Sequence, residues 1–407
     1  MLYYLIVNKL ETGDYVHQIK NMISNLYKII FKVFGTIFPK DKKLIIFESF
    51  LGKQYSDNPR AIYEYLAEHY PHLKLYWSVD KQNFDSFAQY NVQYAKRFSV
   101  KWLFLMTRAK YWVSNSRLPL WIPKPSKTIY LQTWHGTPLK KLATDMDEVH
   151  MPGTNTEKYK KNFVTESSKW DYLISPNEYS TEIFKSAFQF NKTMIESGYP
   201  RNDFLFTHNN KDDINTIKNK LQLPKDKKII LYAPTWRDDD FKKVGHYKFN
   251  LPFDLAEMEK SLGEEYLIIL RLHYLIAEKI DLSNYHNFVF DYSYHEDIRD
   301  LYLVSDILIT DYSSVFFDYA NLKRPILFYT YDLEKYRDTL RGFYIDMEKE
   351  VPGPLLENTE EVIHAIETID EVEEAYRERY DMFYNRFCCW DDGQAAKQVV
   401  ERVFVDK

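Results

Sequence analysis

The sequence predicts an α/β protein made of two Rossmann-like halves. From Lys43 onward, short apolar stretches alternate with helical stretches, which is the pattern of a parallel sheet covered by helices. The chain has 407 residues, 45% of them hydrophobic, so it can bury a full core and is long enough for two domains. A polar stretch, residues 207–227, divides the predicted strands into two series.

Each series contains several predicted strands. The first comprises residues 44–47, 73–77, 111–113 and 128–131, and the second comprises residues 229–232, 266–270, 288–290, 307–309 and 325–329. All are short apolar runs of the length that buried parallel strands have. A charged helix from Val372 to Phe387 and a final helical run to Val403 complete the predicted chain.

The N-terminal segment predicts a helix with one apolar face. Between residues 16 and 38, apolar side chains recur three or four positions apart, and lysines but no acidic residues occur from Tyr15 to Lys40. Such a helix could lie in the headgroup layer of an anionic membrane or pack on its own domain. Amphipathicity does not separate these two interpretations, so both stay open at this point.

Composition argues against several other classes of protein. A net charge of −5 gives no global positive field, so no nucleic acid partner is expected. Cys388 and Cys389 are adjacent, which suits neither a disulfide framework nor a zinc site and favours a reducing cytoplasm. A signal peptide is not expected, and no segment is long and apolar enough to span a bilayer.

The motif WHGTPLKK, residues 134–141, follows a predicted strand. Open α/β sheets present ligand-binding groups at the carboxyl ends of their strands, so we expect His135 at the rim of a cleft. An imidazole there could take a proton from an attacking hydroxyl near neutral pH. The alternative is a histidine with a purely structural role.

A second strand-end motif is SDILITDYSS, residues 305–314, followed by a predicted helix from Val315 to Leu322. Free backbone N–H groups and the helix dipole make such a helix start a suitable seat for a phosphate. The hydroxyls of Ser313 and Ser314 would add hydrogen-bond donors. Ser and Asp also cap helices without any ligand, so simple capping is the alternative.

Three further polar segments lie at or near strand ends. The segment RLH, residues 271–273, would turn Arg271 and His273 to the same side of an extended chain, where they suit an anionic diphosphate. A surface ion pair is the alternative for Arg271. The segments PTWRDD, residues 234–239, and GYPRND, residues 198–203, complete the set. We expect all these loops to converge on one cleft between the halves, a common location for ligand sites.

The sequence lacks the motifs GxGxxG, GxxxxGK[ST] and HExxH. Dinucleotide oxidoreduction, P-loop phosphoryl transfer and zinc proteolysis therefore lose their usual support. Three adjacent acids, residues 238–240, could bind a divalent cation but are more typical of a solvated loop. We expect neither a metal nor a cofactor.

Together, these motifs resemble the CDP-glycerol glycerophosphotransferase family, the wall teichoic acid primases and polymerases of Gram-positive bacteria. The resemblance extends from about Lys43 to Val403, and RGFY with PGP at residues 341–344 and 352–354 also matches. It implies a GT-B fold, in which two Rossmann-like domains face a cleft. The implied segments are a membrane-contact segment (residues 1–42), an acceptor domain (residues 43–206), a CDP-glycerol domain (residues 207–385) and a helix that crosses back to the first domain (residues 386–407).

The resemblance also implies the chemistry. A terminal hydroxyl of a lipid-linked polyol-phosphate or disaccharide acceptor attacks the β-phosphorus of CDP-glycerol, and CMP leaves. His135 matches the family's proposed base, and His273 with Arg271 matches the pair that meets the diphosphate. The other implied donor-site residues are Gly136, Thr137, Pro138, Leu139, Arg201, Pro234, Thr235, Leu272, Thr310, Asp311, Ser313 and Ser314. Positioning and charge stabilisation can suffice for in-line phosphoryl transfer, so this scheme has no obligatory metal.

The resemblance implies a peripheral, monotopic protein at the cytoplasmic face of the cell membrane, and so favours an anionic membrane surface as partner of the N-terminal helix. Several alternatives stay open. Ribitol-phosphate transferases share the motifs, and a GT-B glycosyltransferase using a nucleotide-sugar would share the two-domain pattern. A non-catalytic membrane scaffold is a further rival, although it leaves the strand-end loops unexplained. Primase, short-chain extender and polymerase are not distinguished, and neither is a monomer from a homo-oligomer.

Overall fold

The protein forms two parallel α/β sheets, as the sequence predicts, together with a small antiparallel pair of strands. The structure is a computed structural model that describes residues 14–149, 154–235, 241–243, 246–247, 251–272, 281–335 and 342–405. His273, Trp236 to Asp240 and Arg341, which the sequence analysis named, lie outside the described residues.

The first sheet and its helices occupy the N-terminal part of the chain. Its strands are β1 (Asp41–Glu48), β2 (Lys74–Val79), β3 (Tyr94–Lys96), β4 (Ala109–Ser114), β5 (Ile129–Gln132), β6 (Tyr172–Ser175) and β7 (Thr193–Glu196). The helices are α1 (Asp14–Ile37), α2 (Asp57–His69), α3 (Phe84–Ala88), α4 (Val100–Arg108), α5 (Thr156–Ser167) and α6 (Glu178–Ala187).

The second sheet follows in the C-terminal part. The strands are β8 (Lys228–Tyr232), β9 (Phe241–Lys243), β10 (His246–Tyr247), β11 (Tyr266–Leu270), β12 (Val289–Asp291), β13 (Ile307–Thr310), β14 (Ile326–Tyr329) and β15 (Leu355–Leu356), of which β9 and β10 form the antiparallel pair. The helices are α7 (Asp203–Thr207), α8 (Lys211–Lys220), α9 (Leu255–Leu262), α10 (Ile298–Val304), α11 (Val315–Tyr319), α12 (Leu333–Lys335), α13 (Met347–Glu350), α14 (Thr359–Glu367), α15 (Ile369–Phe387) and α16 (Ala395–Val403).

Both sheets have the strand order of a doubly wound fold. The order is β3-β2-β1-β4-β5-β6-β7 in the first sheet and β12-β11-β8-β13-β14-β15 in the second. In each sheet, successive strands are added first on one side of the first strand and then on the other. This change of side lies between β1 and β4 in the first sheet and between β8 and β13 in the second. Ligands bind outside the carboxyl ends of strands at such a switch point. The topology therefore selects the loops after these four strands as the place to look for a site.

The strands are apolar because both of their faces are covered. In β1, Ile45 and Phe47 contribute to one core and Leu44 and Ile46 to the other, as the two-residue period of a strand requires. The five residues of β11 are likewise all buried. This two-sided burial explains why the sequence shows continuous apolar runs and not alternating ones.

Helix α1 begins at Asp14, and the described part of it presents two apolar sides. Phe31 is fully buried, with Tyr27, Ile30 and Phe34 packed beside it on the first domain. Another stripe faces outward, formed by Met22, Leu26, Ile29, Val33 and Ile37, which are 44% to 67% exposed. The helix therefore packs on its own domain and still carries an uncovered apolar stripe. Among the described residues, no helix is both long enough and apolar enough to cross a bilayer.

The polar stretch that divides the two series of strands is itself partly helical. The side chain of Asn210 accepts a hydrogen bond from the Asp213 N–H at 3.0 Å and caps α8. Ile217 and Leu221 pack into the core of the second sheet. The high content of Asn, Asp and Lys therefore reflects an amphipathic helix with a capped start and a solvated face, and not a loose linker.

The C-terminal helix α16 returns to the first sheet. Val399 and Val400 are fully buried in a core that also contains residues of β1 and β2. Both carboxylate oxygens of Asp203 accept hydrogen bonds from the first N–H groups of α16, those of Ala395 and Ala396, at 2.9 and 2.8 Å. Burial raises the pKa of Asp203 to about 6. Because α16 comes after the second sheet in the chain but packs on the first, the chain crosses between the two sheets twice.

Candidate functional site

One cleft of about 1140 Å³ lies between the two sheets, at the carboxyl ends of their strands. Loops of the first half form one wall, with residues 50, 51, 53, 54, 82, 83, 86, 116, 134–140 and 142. Loops of the second half form the other, with residues 234, 235, 271, 272, 293–296 and 312–314. This interdomain cleft brings together most of the residues that the sequence analysis selected. It coincides with the switch points of both sheets.

His135 is exposed inside the cleft and has a defined proton position. Its Nδ1 atom lies 2.7 Å from the carbonyl oxygen of Asn115. A carbonyl oxygen only accepts, so Nδ1 carries the hydrogen and Nε2 carries the lone pair of the neutral ring. The ring stacks on Trp134 with its centroid 4.5 Å away.

The pKa of His135 is shifted by the packed protein around it. Desolvation by the surrounding atoms lowers this pKa below 6.5, and the positive charges of Arg201 and Arg117 act in the same direction. The Asn115 carbonyl and Asp57 oppose the shift. Although the ring is accessible from the cleft, the net effect is a histidine that is neutral at pH 7. A neutral imidazole is the form that can accept a proton.

The loop before His135 is held in an unusual conformation. Trp134 has a φ of 52°, in the left-handed region that bulky residues rarely adopt. Its N–H donates to the Gln132 side-chain oxygen at 3.0 Å. The Asn58 amide donates to the carbonyls of Thr133 and Trp134 at 3.3 and 3.2 Å. These contacts fix the direction in which His135 leaves the strand.

Gly136 marks the closest approach of the two walls. A Cβ atom at this position would lie 2.9 Å from the hydroxyl of Ser314, which belongs to the opposite wall. The adjoining Thr137, Pro138 and Leu139 also line the cleft. Tyr179 donates its hydroxyl to the Pro138 carbonyl at 2.6 Å. The histidine loop therefore touches the serine turn directly, and a side chain at residue 136 would push the walls apart.

The serine turn follows β13, as the sequence predicts. Ser313 and Ser314 line the cleft, and Ser314 is the residue before α11 but makes no side-chain capping bond. Simple capping, which was the alternative for this hydroxyl, is therefore not observed.

Thr310 and Asp311 occupy a different position from the two serines, because both are buried beneath the turn. Thr310 donates to the Ala233 carbonyl, and Asp311 accepts from the Thr235 N–H, both at 2.7 Å. The two residues therefore hold the loop that carries Pro234 and Thr235 into the cleft lining.

Arg271 supplies positive charge to the wall of the second half. One of its terminal nitrogens donates to the carbonyls of Tyr292 and Ser293, and the residue forms no ion pair with any other described residue. Burial lowers the pKa of Arg271 below its usual value, and electrostatic interactions with Tyr302, Asp297 and Asp291 oppose this shift only in part. Leu272 is buried beside it, with its N–H bonded to the Ser293 hydroxyl at 2.9 Å. A partly buried cation facing a cleft is a suitable partner for an anionic ligand.

Arg201 lies beneath the cleft and not in its lining. Its guanidinium pairs with Asp57 of the first half and Asp318 of the second, both at 2.8 Å. Burial opposes the charge, but the Asp318 and Asp57 carboxylates outweigh it and raise the pKa of Arg201. The expected donor contact is therefore replaced, in this structure, by a buried clamp between the two halves. All three side chains are less than 10% exposed, so the clamp is shielded from water.

Several residues that organise the site were missed by the sequence analysis: Asp57, Asn58, Asn115, Asp318 and Asp391. Asp391 accepts hydrogen bonds from the Tyr199 N–H and the Asn202 and Asn321 amides, and burial raises its pKa to about 7. One signal was available, because Asn115 lies one residue beyond β4 in a polar SNS triplet. The others act through partners far away in sequence, which no local pattern reveals.

Across the part of the chain that the structure describes, no group of three His, Cys, Asp or Glu side chains is arranged to hold a metal ion. The three adjacent acids that the sequence analysis considered, residues 238–240, lie outside that part.

The sequence matches the family described as CDP-glycerol:poly(glycerophosphate) glycerophosphotransferase over residues 30–405. It is 59% identical over 386 residues to a teichoic acid poly(glycerol phosphate) polymerase of Bacillus spizizenii, covering 94% of this chain and 97% of that relative. It is also 59% identical over 395 residues to a Bacillus subtilis protein of the same name, covering 96% of this chain. The chain spans about half, 53%, of that second relative.

Solved structures give the same result for the fold. The chain is similar to the wall teichoic acid polymerase TagF in a histidine-to-asparagine variant soaked with CDPG. The TM-score is 0.88, the sequence identity is 45%, and 95% of each chain is covered.

Proposed function

Because the chain belongs to the CDP-glycerol:poly(glycerophosphate) glycerophosphotransferase family, we propose that it transfers glycerol phosphate from CDP-glycerol to a lipid-linked teichoic acid or capsule acceptor and releases CMP. The observation that carries the proposal is the contact between the two walls of the interdomain cleft. A neutral histidine on one wall adjoins a hydroxyl-rich turn on the other, where Gly136 meets Ser314. A base and a phosphate seat must be neighbours for a hydroxyl to attack a bound phosphoryl group.

The donor occupies the wall of the second half in this proposal. Arg271 neutralises the diphosphate, and Ser313 and Ser314 donate hydrogen bonds to its oxygens. Pro234 and Thr235 border the nucleotide, and His273 adds a donor or a proton beside Arg271. Arg271 supports this assignment because it is a partly buried cation that forms no ion pair with another described residue.

His135 acts as the general base. Its Nε2 atom takes the proton from the terminal hydroxyl of the acceptor as that oxygen forms a bond to the β-phosphorus. The bond between this phosphorus and the bridging oxygen of CMP breaks, and CMP leaves with the negative charge. The lowered pKa of His135 supports this role, since the ring starts the step without a proton. The hydrogen bond to Asn115 holds the ring and shares the positive charge that develops on it.

The arrangement of domains proposed here is that of GT-B enzymes. Residues 43–206 form the acceptor domain, residues 207–385 form the CDP-glycerol domain, and residues 386–407 form the helix that crosses back. The two parallel sheets facing one cleft support the GT-B assignment. The return of α16 to the first core supports the crossing helix.

The N-terminal segment, residues 1–42, contacts an anionic membrane at its cytoplasmic face. The outward stripe of α1 supports this, because Leu26, Ile29 and Val33 are uncovered while lysines lie on the same helix. A membrane position would bring the cleft to a lipid-linked acceptor.

A donor comparison tests the proposed function. Purified protein would receive a short lipid-linked glycerol-phosphate acceptor with CDP-glycerol, CDP-ribitol or a UDP-sugar, and nucleotide release would be measured. We expect CMP from CDP-glycerol only when the acceptor is present. Faster release from CDP-ribitol would reassign the donor, and UDP release would support a glycosyltransferase. If no donor gave nucleotide release, the proposal would be contradicted.

A further inference from the structure

A strained turn follows β1 at the edge of the interdomain cleft. Phe50, Leu51 and Gly52 have φ angles of 45°, 61° and 83°, so three consecutive residues adopt the left-handed region. Two of them carry bulky side chains, for which this region is unfavourable. Such strain persists only where the surrounding structure imposes it, and it clusters at functional sites. The strain therefore marks this turn as a candidate part of the functional site.

Backbone contacts impose this conformation. The carbonyl of Gly52 accepts from the Asp80 N–H at 2.8 Å, and a Cβ at residue 52 would lie 2.8 Å from backbone atoms of Ser78 and Asp80. The N–H of Phe50 donates to the side chain of Asn115 at 2.8 Å. The turn is thus fastened to the end of β2 and to the residue that orients His135. Its position relative to the base is fixed.

The turn presents donors to the cleft. Lys53 is exposed in the cleft lining and forms no ion pair with another described residue. Gln54 accepts from the Ser56 hydroxyl through its side-chain oxygen at 3.0 Å, so its amide nitrogen remains a donor. Gln82 lines the same wall and is exposed. Phe50 connects this group to the base, because its ring centroid lies 5.9 Å from that of His135.

This wall suits a negatively charged ligand. Among the described residues, its lining contains lysines and amides but no acidic residue, although the chain as a whole has a net charge of −5. Glu296, an acid in the described lining, belongs to the opposite wall and accepts from the Tyr90 hydroxyl and the Gln89 amide. Arg271 and the serine turn, on that opposite wall, are engaged by the donor in the proposed function. A second phosphate group in the cleft would therefore meet Lys53.

We propose that Lys53, Gln54 and Gln82 form a subsite for a phosphodiester of the acceptor chain. The terminal glycerol of the acceptor lies along Phe50 with its hydroxyl at His135, and the phosphodiester behind it reaches Lys53. This proposal rests on the proposed function, and it adds the residues of the first-half wall that bind the acceptor's phosphodiester. The turn holds the backbone of Lys53 beside the base, so a phosphodiester bound there favours a charged acceptor over an uncharged alcohol.

Kinetics with two acceptors test the subsite. One synthetic acceptor would carry a lipid-anchored glycerol-phosphate oligomer, and the other a lipid-anchored glycerol without phosphate. The variants are Lys53→Glu and Lys53→Arg, with Lys81→Glu as the matched control, because Lys81 is an exposed lysine outside the cleft lining. We expect Lys53→Glu to raise the KM of the phosphate-bearing acceptor by about tenfold, as loss of one charge-assisted contact predicts. The KM of CDP-glycerol should stay within about twofold.

The conservative variant and the control test whether the effect comes from the positive charge at residue 53. Lys53→Arg should behave like the parent protein, because a guanidinium still pairs with a phosphate. Lys81→Glu should leave the KM of both acceptors unchanged. An equal effect of Lys53→Glu on the charged and uncharged acceptors would overturn the subsite, and so would an increase in the KM of CDP-glycerol alone.

Failure of the subsite and failure of the proposed function are distinguishable. If the parent protein released no CMP from CDP-glycerol with any acceptor, the proposed function would fail. Binding of a soluble poly(glycerol phosphate) oligomer, measured by calorimetry, would then decide the subsite without catalysis. Weaker binding to Lys53→Glu than to Lys81→Glu would support it, and equal binding would overturn it.

Discussion

The Nδ1 atom of His135 lies 2.7 Å from the backbone carbonyl of Asn115, and this contact decides which ring nitrogen faces the chemistry. The side chain of the same asparagine accepts from the Phe50 N–H and donates to Asp57, at 2.8 and 2.9 Å. One residue therefore orients the proposed base, fastens the strained turn and contacts the buried clamp. A displacement of the base, the turn or the clamp would therefore also displace the other two through Asn115.

Replacing His135 should remove the proton acceptor while leaving the proposed CDP-glycerol site intact. We expect His135→Gln to lower kcat for acceptor-dependent CMP release by about 10²- to 10⁴-fold, with little change in the KM of CDP-glycerol. His286→Gln, at an exposed histidine away from the cleft lining, is the control and should retain full activity. Activity of His135→Gln within about tenfold of the parent protein would rule out the general base.

The pH profile should report the shifted pKa of this histidine. Burial lowers the pKa of His135 below 6.5, and the neutral ring is the active form. Activity should therefore persist as the pH falls through 6.5 and decline only at lower pH. The measurement is kcat/KM for the acceptor as a function of pH, which reports groups of the free enzyme. An acid limb centred above pH 6.5, or one that survives in the residual activity of His135→Gln, would contradict the assignment.

The Arg201 clamp should contribute strongly to stability. Arg201→Met leaves the Asp57 and Asp318 carboxylates buried without their cation, so we expect a loss of about 3–5 kcal/mol in the free energy of unfolding by urea. The double variant Arg201→Met with Asp318→Asn should recover part of this loss, because one uncompensated charge is removed.

The control for the clamp is an exposed ion pair. Arg377 pairs with Glu374 on the surface of α15, and both side chains are more than 60% exposed. Arg377→Met should therefore cost less than about 1 kcal/mol. If Arg201→Met were no more destabilising than Arg377→Met, the clamp would have no special role in joining the two halves.

The outward stripe of α1 should govern binding to vesicles. In Leu26→Ser with Val33→Ser, two exposed apolar side chains are lost, so folding should be unaffected while partition onto phosphatidylglycerol vesicles weakens by about tenfold or more. Met382→Ser is the control, because Met382 is 67% exposed on α15 and lies far along the chain from the stripe. Co-sedimentation gives the measurement. Equal sedimentation of the double variant and the control would show that lipid does not cover the stripe.

The sequence predicted much of the architecture because the signals are local. Parallel strands buried on both faces appear as continuous apolar runs, so the strands around Ile45, Ile230 and Ile268 were identified from a few neighbouring residues each. The strand-end loops followed from the same runs, since ligand loops lie at the carboxyl ends of parallel strands. His135, Ser313 and Ser314 were found in this way.

The sequence was less informative where a polar pattern has two structural explanations. The stretch from Thr207 to Lys227 contains α8, since a capped helix with one buried face has nearly the same composition as a linker. For α1, periodicity indicated an apolar face, but the packing of Phe31 and the exposure of Leu26 depend on where the first domain lies.

By itself the sequence determined the two α/β halves, the order of their strand-end motifs and several cleft residues, among them His135, Ser313 and Ser314, because these depend on periodicities within about ten residues. Only the tertiary structure decided that Arg201 joins Asp57 to Asp318, that Asn115 sets the proton of His135, and that Gly136 meets Ser314. These relationships connect groups that are distant in sequence and become neighbours only when two separate cores have formed. Their energies come from burial and charge pairing across that interface, which no local pattern encodes.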